Sequence, residues 1–254
     1  MLEQDNVATD GLIYSTEANT TLAFVHLGQN GDRSFSFYRK PGADILLTFA
    51  DVDTGLIEDT KIFHFGAVCL TDEPVRSACM QAAKYAREKG ITVSFDPNWR
   101  PPLWQNDALA KQCILHAVAL SDILKVSDVE MELLTGETDT GKGSLMLLAM
   151  GPSLVFVTLG VSGCYYRTHE ACGHVPAYAA NTVDTTGAGD AFTAAILYLI
   201  SKHKRSLNSY SQGEITKMAD FANAVGALCV QKRGAIPAMP ILYQVEEFII
   251  CNKQ

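Results

Sequence analysis

Positive charge is what this 254-residue chain has least to spare: 20 Lys and Arg stand against 28 Asp and Glu, a formal net charge of −8. The two signs are interspersed, so no basic field exists to draw in nucleic acid or an anionic membrane surface. A phosphate ligand would have to be met locally, by backbone amides, a few Arg or Lys and a metal ion. Long apolar runs are missing too, and stretches such as residues 191–200 fall far short of the roughly 20 residues that span a bilayer. The start, Met1-Leu2-Glu3-Gln4-Asp5, is polar and shows no signal-peptide pattern. Seven Cys are scattered singly with no C-x-x-C pair, several of them inside apolar runs (Cys69, Cys229). That usage suits free buried thiols in a reducing cytoplasm. The chain has no internal repeat, no low-complexity stretch and no G-x-S-x-G elbow to support a Ser-His-Asp hydrolase. With 48% hydrophobic and 19% charged residues it can bury a real core, as one large α/β domain or two small ones.

Residues 20–27 and 33–39 are two β-rich runs around Gly28-Gln29-Asn30-Gly31-Asp32, and Asn-Gly in that setting is a strong hairpin signal. The second arm alternates, with Arg33, Phe35, Phe37 and Arg39 on one face and Ser34, Ser36 and Tyr38 on the other. Such a hairpin is either a lid over a site or an edge with long side chains. Beyond residue 45 the pattern becomes βα. A buried strand is expected over 61–68, a helix over 73–89, and a strand over 91–95 that ends in the polar, Pro-rich run Asp96-Pro97-Asn98-Trp99-Arg100-Pro101-Pro102. A helix over 105–119, a strand over 122–126, a helix over 127–135 and a strand over 154–160 follow, with 164–167 as a hairpin partner. A long helix over 214–231 and a last amphipathic helix close the chain. Strands alternating with helices predict a mainly parallel sheet covered on both faces, and polar residues at strand carboxyl ends are where such sheets place ligands.

The most informative stretch is Asp184-Thr185-Thr186-Gly187-Ala188-Gly189-Asp190, followed at once by an apolar helical run. Without Cβ atoms at Gly187 and Gly189, the backbone can aim successive N–H groups at one point, where the positive end of the helix dipole adds to them. Asp190 then reads as a base beside an anion hole. It reads equally as a helix cap next to a tight turn. Four other patterns lead elsewhere. Residues 136–143 resemble the P-loop G-x-x-x-x-G-K-S/T, but Gly143 follows Lys142 where a hydroxyl is needed, and a helix precedes Gly136 where a strand is needed. Gly136 is better explained as the residue ending that helix. Cys164, His169, Cys172 and His174 lie close together, but their spacing matches none of the usual zinc pairs. Ser127 and Glu130 have capping-box spacing, which accounts for both as helix-start chemistry. Lys202-His203-Lys204-Arg205 reads as a solvated helix end.

Taken together, these residues resemble the ribokinase-like (PfkB) carbohydrate kinases, and among them the fructokinases. The resemblance is carried by residues 184–190, by Phe95-Asp96-Pro97-Asn98-Trp99-Arg100, by Lys125-Val126-Ser127-Asp128-Val129-Glu130 and by Val157-Thr158-Leu159-Gly160-Val161-Ser162-Gly163. Phe35-Ser36-Phe37-Tyr38-Arg39 and Phe63-His64-Phe65-Gly66 favour fructokinase. What the resemblance implies is a three-layer α/β kinase domain over 1–254, with residues 20–40 forming part of a β lid. It implies ATP with Mg²⁺, a sugar acceptor and a homodimer. Asp190 would be the base, and Gly187, Ala188 and Gly189 the anion hole. Ser127, Thr158, Gly160, Gly163 and Asn223 would serve the nucleotide; Tyr38, Arg39, Asn98 and Arg100 the sugar or phosphate. Glu130 would act through water on Mg²⁺, and Asp184 and Thr186 would lie at a K⁺ site. Ser127 stands where relatives often have Asn. The family's first strand, with its sugar-binding Asp and a following Gly-Gly-x-x-x-Asn segment, has no counterpart in this sequence. The expectation is therefore a shortened chain lacking on the order of 60 residues, which would be either a fructokinase or a remnant that only binds nucleotide or a partner. Kinases for ribose or 2-keto-3-deoxygluconate are the other enzymes the pattern fits.

Overall fold

Two sheets form in the computed structural model, which describes residues 2–27, 33–203 and 205–252. The smaller is an antiparallel pair, β1 (Leu22–Leu27) with β2 (Arg33–Tyr38), in which Leu22 stands opposite Tyr38 and Val25 opposite Phe35. The turn expected over 28–32 lies outside the described residues. The larger sheet has the spatial order β3 (Ile62–Gly66), β4 (Thr92–Asp96), β5 (Ile123–Ser127), β6 (Leu154–Thr158), β7 (Cys164–Arg167) and β8 (Cys172–Val175). From β3 to β6 the strands run parallel; β7 and β8 add to the sheet antiparallel.

The period-two alternation of the central strands divides the interior into two cores. Leu124, Val126, Val155 and Val157 face one, closed by α1 (Thr54–Glu58), α2 (Val75–Glu88), α3 (Asp107–Leu120), α4 (Asp128–Thr135) and α5 (Thr140–Ala149). Ile123, Leu154 and Phe156 face the other, closed by α6 (Ala188–Ser201), α7 (Gln212–Cys229) and α8 (Leu242–Asn252). The result is the expected three-layer α/β arrangement. One part of the second face breaks the apolar pattern. Ser94 and Asp96 on β4 and Lys125 on β5 are buried polar residues at alternate positions, and they occur toward the carboxyl ends of the strands. Among the described residues, no helix is long and apolar enough to cross a membrane.

Local chemistry explains where the helices start and stop. Asn106, Asp139 and Ser211 cap α3, α5 and α7 by accepting a backbone N–H with their side chains. Ser127 and Glu130 form a complete capping box on α4, which ends at Gly136 in the left-handed region (φ 79°). Helix α5 was not foreseen in the sequence, and it accounts for the rest of the P-loop lookalike. Lys142 is an exposed residue whose amide is held by Asp139, and Gly143 is a packing glycine, since a Cβ there would lie 2.5 Å from Met131 Sδ.

The hairpin is tied to the body at its base by Arg39, which is 4% exposed. Its guanidinium donates to Asp44 (2.8 Å), to the Val68 carbonyl (3.0 Å), to Asp72 (3.4 Å) and to the Thr71 hydroxyl. These contacts engage every face of the planar fork.

Three variants test these assignments. Gly136→Ala should lower folding stability by about 1–2 kcal/mol through its left-handed backbone alone, while Lys142→Ala leaves nucleotide affinity unchanged in calorimetry; a tenfold loss in the latter would return Lys142 to a phosphate site. Arg39→Ala should cost roughly 3 kcal/mol, as expected when one partner of a buried charged cluster is removed. It should also open residues 20–40 to limited proteolysis. An unchanged thermal midpoint would free this guanidinium for another role.

Candidate active site

The site is organised around the first turn of α6. Gly187 precedes it with φ 84° and is buried, and a Cβ on it would lie 3.0 Å from Ala235. Both the left-handed backbone and the close approach demand glycine here. No side chain caps this helix start. By helix geometry, the N–H groups of Gly189 and Asp190 have no carbonyl to reach within the helix, so they point outward at the positive end of the dipole. Asp190 is exposed beside them, and its Oδ1 accepts from Asn98 Nδ2 at 3.3 Å. A carboxylate at that place is a proton acceptor next to an anion-binding turn.

Asn98 is held in an uncommon left-handed conformation (φ 47°), its own N–H donating to Asp96 Oδ1 at 3.1 Å. That geometry turns the chain sharply after β4 and brings the Asn98 amide across to α6. The next residue, Trp99, donates its N–H to Glu130 Oε1 at 2.7 Å, and the Ser127 N–H reaches Glu130 Oε2 at 2.7 Å. Glu130 therefore does two jobs: it closes the capping box of α4 and pins the loop that carries Asn98 and Arg100. Arg100 lies with its guanidinium carbon 5.0 Å from the Phe35 ring centroid, a cation–π contact across to the hairpin. Phe35 and Phe37 stack at 5.9 Å, and with Trp99, Arg100, Pro101 and Pro102 they line a cleft of about 320 Å³. The hairpin thus turns the Phe35 and Phe37 face toward the β4–α3 loop. Tyr38 lies on the opposite face and is 56% exposed. Arg39, expected at the sugar beside Tyr38, is instead corrected to the buried anchor described above, because its donors are already engaged within the chain.

The end of β6 forms a second wall. Thr158 Oγ1 lies 3.3 Å from the Val126 carbonyl, Gly160 has φ 56° and Gly163 has φ 95°. A Cβ on Gly163 would sit 2.1 Å from the Val175 carbonyl oxygen, so no other residue fits. Asn223, 7% exposed on α7, donates to the Val175 and Pro176 carbonyls at 3.0 Å each. Gly163 and Asn223 therefore meet at the end of β8, and residues far apart in the chain share one wall.

Behind the first turn of α6, the Asp184 carboxylate is 4% exposed; its oxygens accept the Thr186 N–H (2.8 Å) and the Gly234 N–H (2.9 Å). The Thr186 hydroxyl is buried with no hydrogen-bond partner among the described residues. An orphaned hydroxyl beside a buried carboxylate fits a bound monovalent cation, which takes oxygen ligands.

Sequence reasoning placed Asp96 and Lys125 only as strand ends walling the cleft, and it did not place His64 or Thr193 at all. His64 Nδ1 lies 3.1 Å from Ser94 Oγ, and solvent still reaches its ring at the sheet edge. Burial pushes its pKa below the usual imidazole range, against the opposing pull of Asp96 and Asp190. Each of these four is a polar residue between apolar neighbours, and that interruption was the available signal.

Residues 1–242 match the family described as pfkB family carbohydrate kinase. Fructokinase-2 of Zea mays is 41% identical over 250 residues, an alignment covering 98% of this chain and 74% of that protein. Among solved structures, the fructokinase of Xylella fastidiosa with bound ATP superposes with a TM-score of 0.90 at 31% identity, covering 100% of this chain and 80% of that one. The fructokinase of Vibrio cholerae O395 in its fructose, ADP and calcium-bound form gives 0.88 at 31% identity, covering 97% and 79%. With the family match over nearly its whole length and identities of this order, the chain belongs to the pfkB family of carbohydrate kinases.

Proposed function

We propose that this chain transfers the γ-phosphoryl group of ATP to a hydroxyl of D-fructose, giving fructose 6-phosphate. The observation that carries the reading is the exposed Asp190 carboxylate at the uncapped start of α6, oriented by Asn98. The relatives that bind ATP, ADP and fructose support the substrate pair.

Asp190 accepts the proton of the attacking hydroxyl as its oxygen bonds to the γ-phosphorus and the bond from that phosphorus to the β–γ bridging oxygen breaks, so that ADP leaves. The Gly187-Ala188-Gly189 turn is the anion hole: its Gly189 N–H, with that of Asp190, takes the oxygens of the group in transit, where charge develops in the transition state, while the Ala188 N–H holds the turn by donating to the Thr185 carbonyl at 3.2 Å. Arg100 adds a fixed positive charge from the loop after β4, and Asn98 keeps the base aimed. Thr158, Gly160 and Gly163 form the nucleotide wall, with Asn223 bracing it and Ser127 at its edge. Tyr38 meets the sugar only if the hairpin shifts, since its face points outward here. We read the hairpin, residues 20–40, as the lid of one kinase domain.

Mg²⁺ bound with ATP neutralises phosphate charge, and Glu130 would reach it through water, because both carboxylate oxygens already accept a backbone N–H. Asp184 and the Thr186 hydroxyl would hold K⁺, which steadies the loop carrying the anion hole. Free cysteines throughout the described residues suit a reducing, cytoplasmic setting.

Asp190→Asn should cut turnover by about 10²–10⁴-fold, the usual contribution of a positioned base, while ATP affinity measured by calorimetry stays within about threefold. Normal turnover in this variant would remove Asp190 from the base role. A panel of fructose, ribose and 2-keto-3-deoxygluconate assigns the acceptor, and nucleotide binding with no transfer to any of them would leave only the binding reading.

A further inference from the structure

Beneath the first turn of α6 lies a lysine that the chemistry above does not use. Lys125 is 8% exposed, with Nζ 3.1 Å from Asp96 Oδ2 and 3.4 Å from Oδ1. Its neighbour two residues back, Ile123, packs into the α6–α8 core, so the alternation of β5 calls for an apolar side chain at 125. Replacing a buried ion pair by well-packed apolar residues is often neutral or stabilising, so stability alone does not account for it.

The surroundings of the pair lead to the catalytic turn by two routes. Asp96 Oδ1 accepts the Asn98 N–H at 3.1 Å, and Asn98 Nδ2 in turn donates to Asp190. The Thr193 hydroxyl lies 3.3 Å from Asp96 Oδ2 and 3.0 Å from the Gly189 carbonyl, so it links the pair to the helix turn itself. Lys125 also sets a limit on that turn directly: a Cβ on Gly189 would lie 2.9 Å from Nζ. A side chain at Gly189 would therefore push the ammonium away from its place under the turn.

We propose that the Lys125–Asp96 pair is the positioning element of the phosphoryl-transfer site, fixing Asn98 and Thr193 and, through them, the direction of the Asp190 carboxylate and the seat of the glycine turn. This rests on the reading of Asp190 as the base. The groups facing Lys125 are Asp96, Glu130, Asp190 and His64. Burial works against the ammonium, but Asp96, then Glu130 and Asp190, more than offset it and hold its pKa above the ordinary lysine value. A raised lysine pKa contributes stability that is fully present below the ordinary lysine value and is lost only as pH rises through the higher folded one, so the pair is intact throughout the neutral range.

The test compares Lys125→Met and the uncharged double variant Asp96→Asn/Lys125→Met with the parent. Lys125→Met should lower kcat about 100-fold, the scale of a slight misplacement of reacting groups, with KM for both substrates and calorimetric ATP affinity within about threefold. Amides of residues 187–193 should exchange with deuterium about tenfold faster in this variant, while those of α3 are unchanged. The double variant, which leaves no unpaired buried charge, should recover the thermal midpoint but not kcat or the slow exchange. Recovery of kcat to within about threefold in the double variant would make the pair merely structural, and a fall in ATP affinity as large as that in kcat would make Lys125 a phosphate ligand; either result overturns the proposal. If the parent transfers phosphate to no sugar, the functional reading fails separately. The exchange measurement then decides alone, and unchanged exchange over 187–193 sinks the positioning role.

Discussion

A helix start that serves as an anion site has to leave its amides unpaired, and an unpaired helix start has little to hold it in place. That conflict governs the structure around α6. No side chain caps the helix, which keeps the Gly189 and Asp190 amides available. The restraint comes from behind and below instead. Gly187 fits against Ala235, the Asp184 carboxylate gathers the Thr186 and Gly234 amides, and Thr193 ties the first turn to Asp96. Each contact restrains the turn on a side away from Asp190.

The polar seam across β3, β4 and β5 follows from the same requirement. An apolar sheet would pack α6 by area alone, and area has no direction. Hydrogen bonds and ion pairs do, at the cost of desolvation. His64, Ser94, Asp96 and Lys125 occupy strand positions that face the α6 side, and they occur only where the helix start needs to be oriented. Farther along, at Ile123, Leu154 and Phe156, the same face is ordinary core against α6, α7 and α8. The change from polar to apolar along one face of the sheet marks where packing stops being generic and becomes specific to the site.

Local rules were enough to read most elements. Ser127 and Glu130 announced α4, Gly136 its end, and the alternation of Phe35 and Phe37 the inner face of the hairpin. The glycine turn and the helix start that carries Asp190 were legible because their signals are contiguous in sequence. What stayed hidden was long-range. Helix α5 was masked by a glycine-rich start, in which Gly143 turns out to serve packing on Met131. Arg39 looked like a ligand residue because nothing near it in sequence shows that Asp44, Thr71 and Asp72 converge on it. Lys125 and Asp96 are 29 residues apart and pair only because their strands are neighbours in the sheet.

The two walls of the cleft are held by different forces, and that difference bears on how each tolerates change. The wall at the ends of β6 and β8 is set by backbone: Gly163 against the Val175 carbonyl, and Asn223 spanning Val175 and Pro176. Such contacts are short, rigid and indifferent to most side-chain substitution around them. The wall at the hairpin is set by side chains that cross between separate elements, with Arg100 lying over Phe35 and the hairpin fastened chiefly through Arg39. Aromatic and guanidinium contacts of this kind are adaptable and can re-form after a small shift of the hairpin. A rigid wall for the group common to all the reactions of such a kinase, and an adjustable one for the group that differs, is the division of labour a phosphotransfer cleft needs when its acceptors vary. The Lys125–Asp96 pair sits where those walls meet α6, linked through Asn98 to the Asp190 carboxylate.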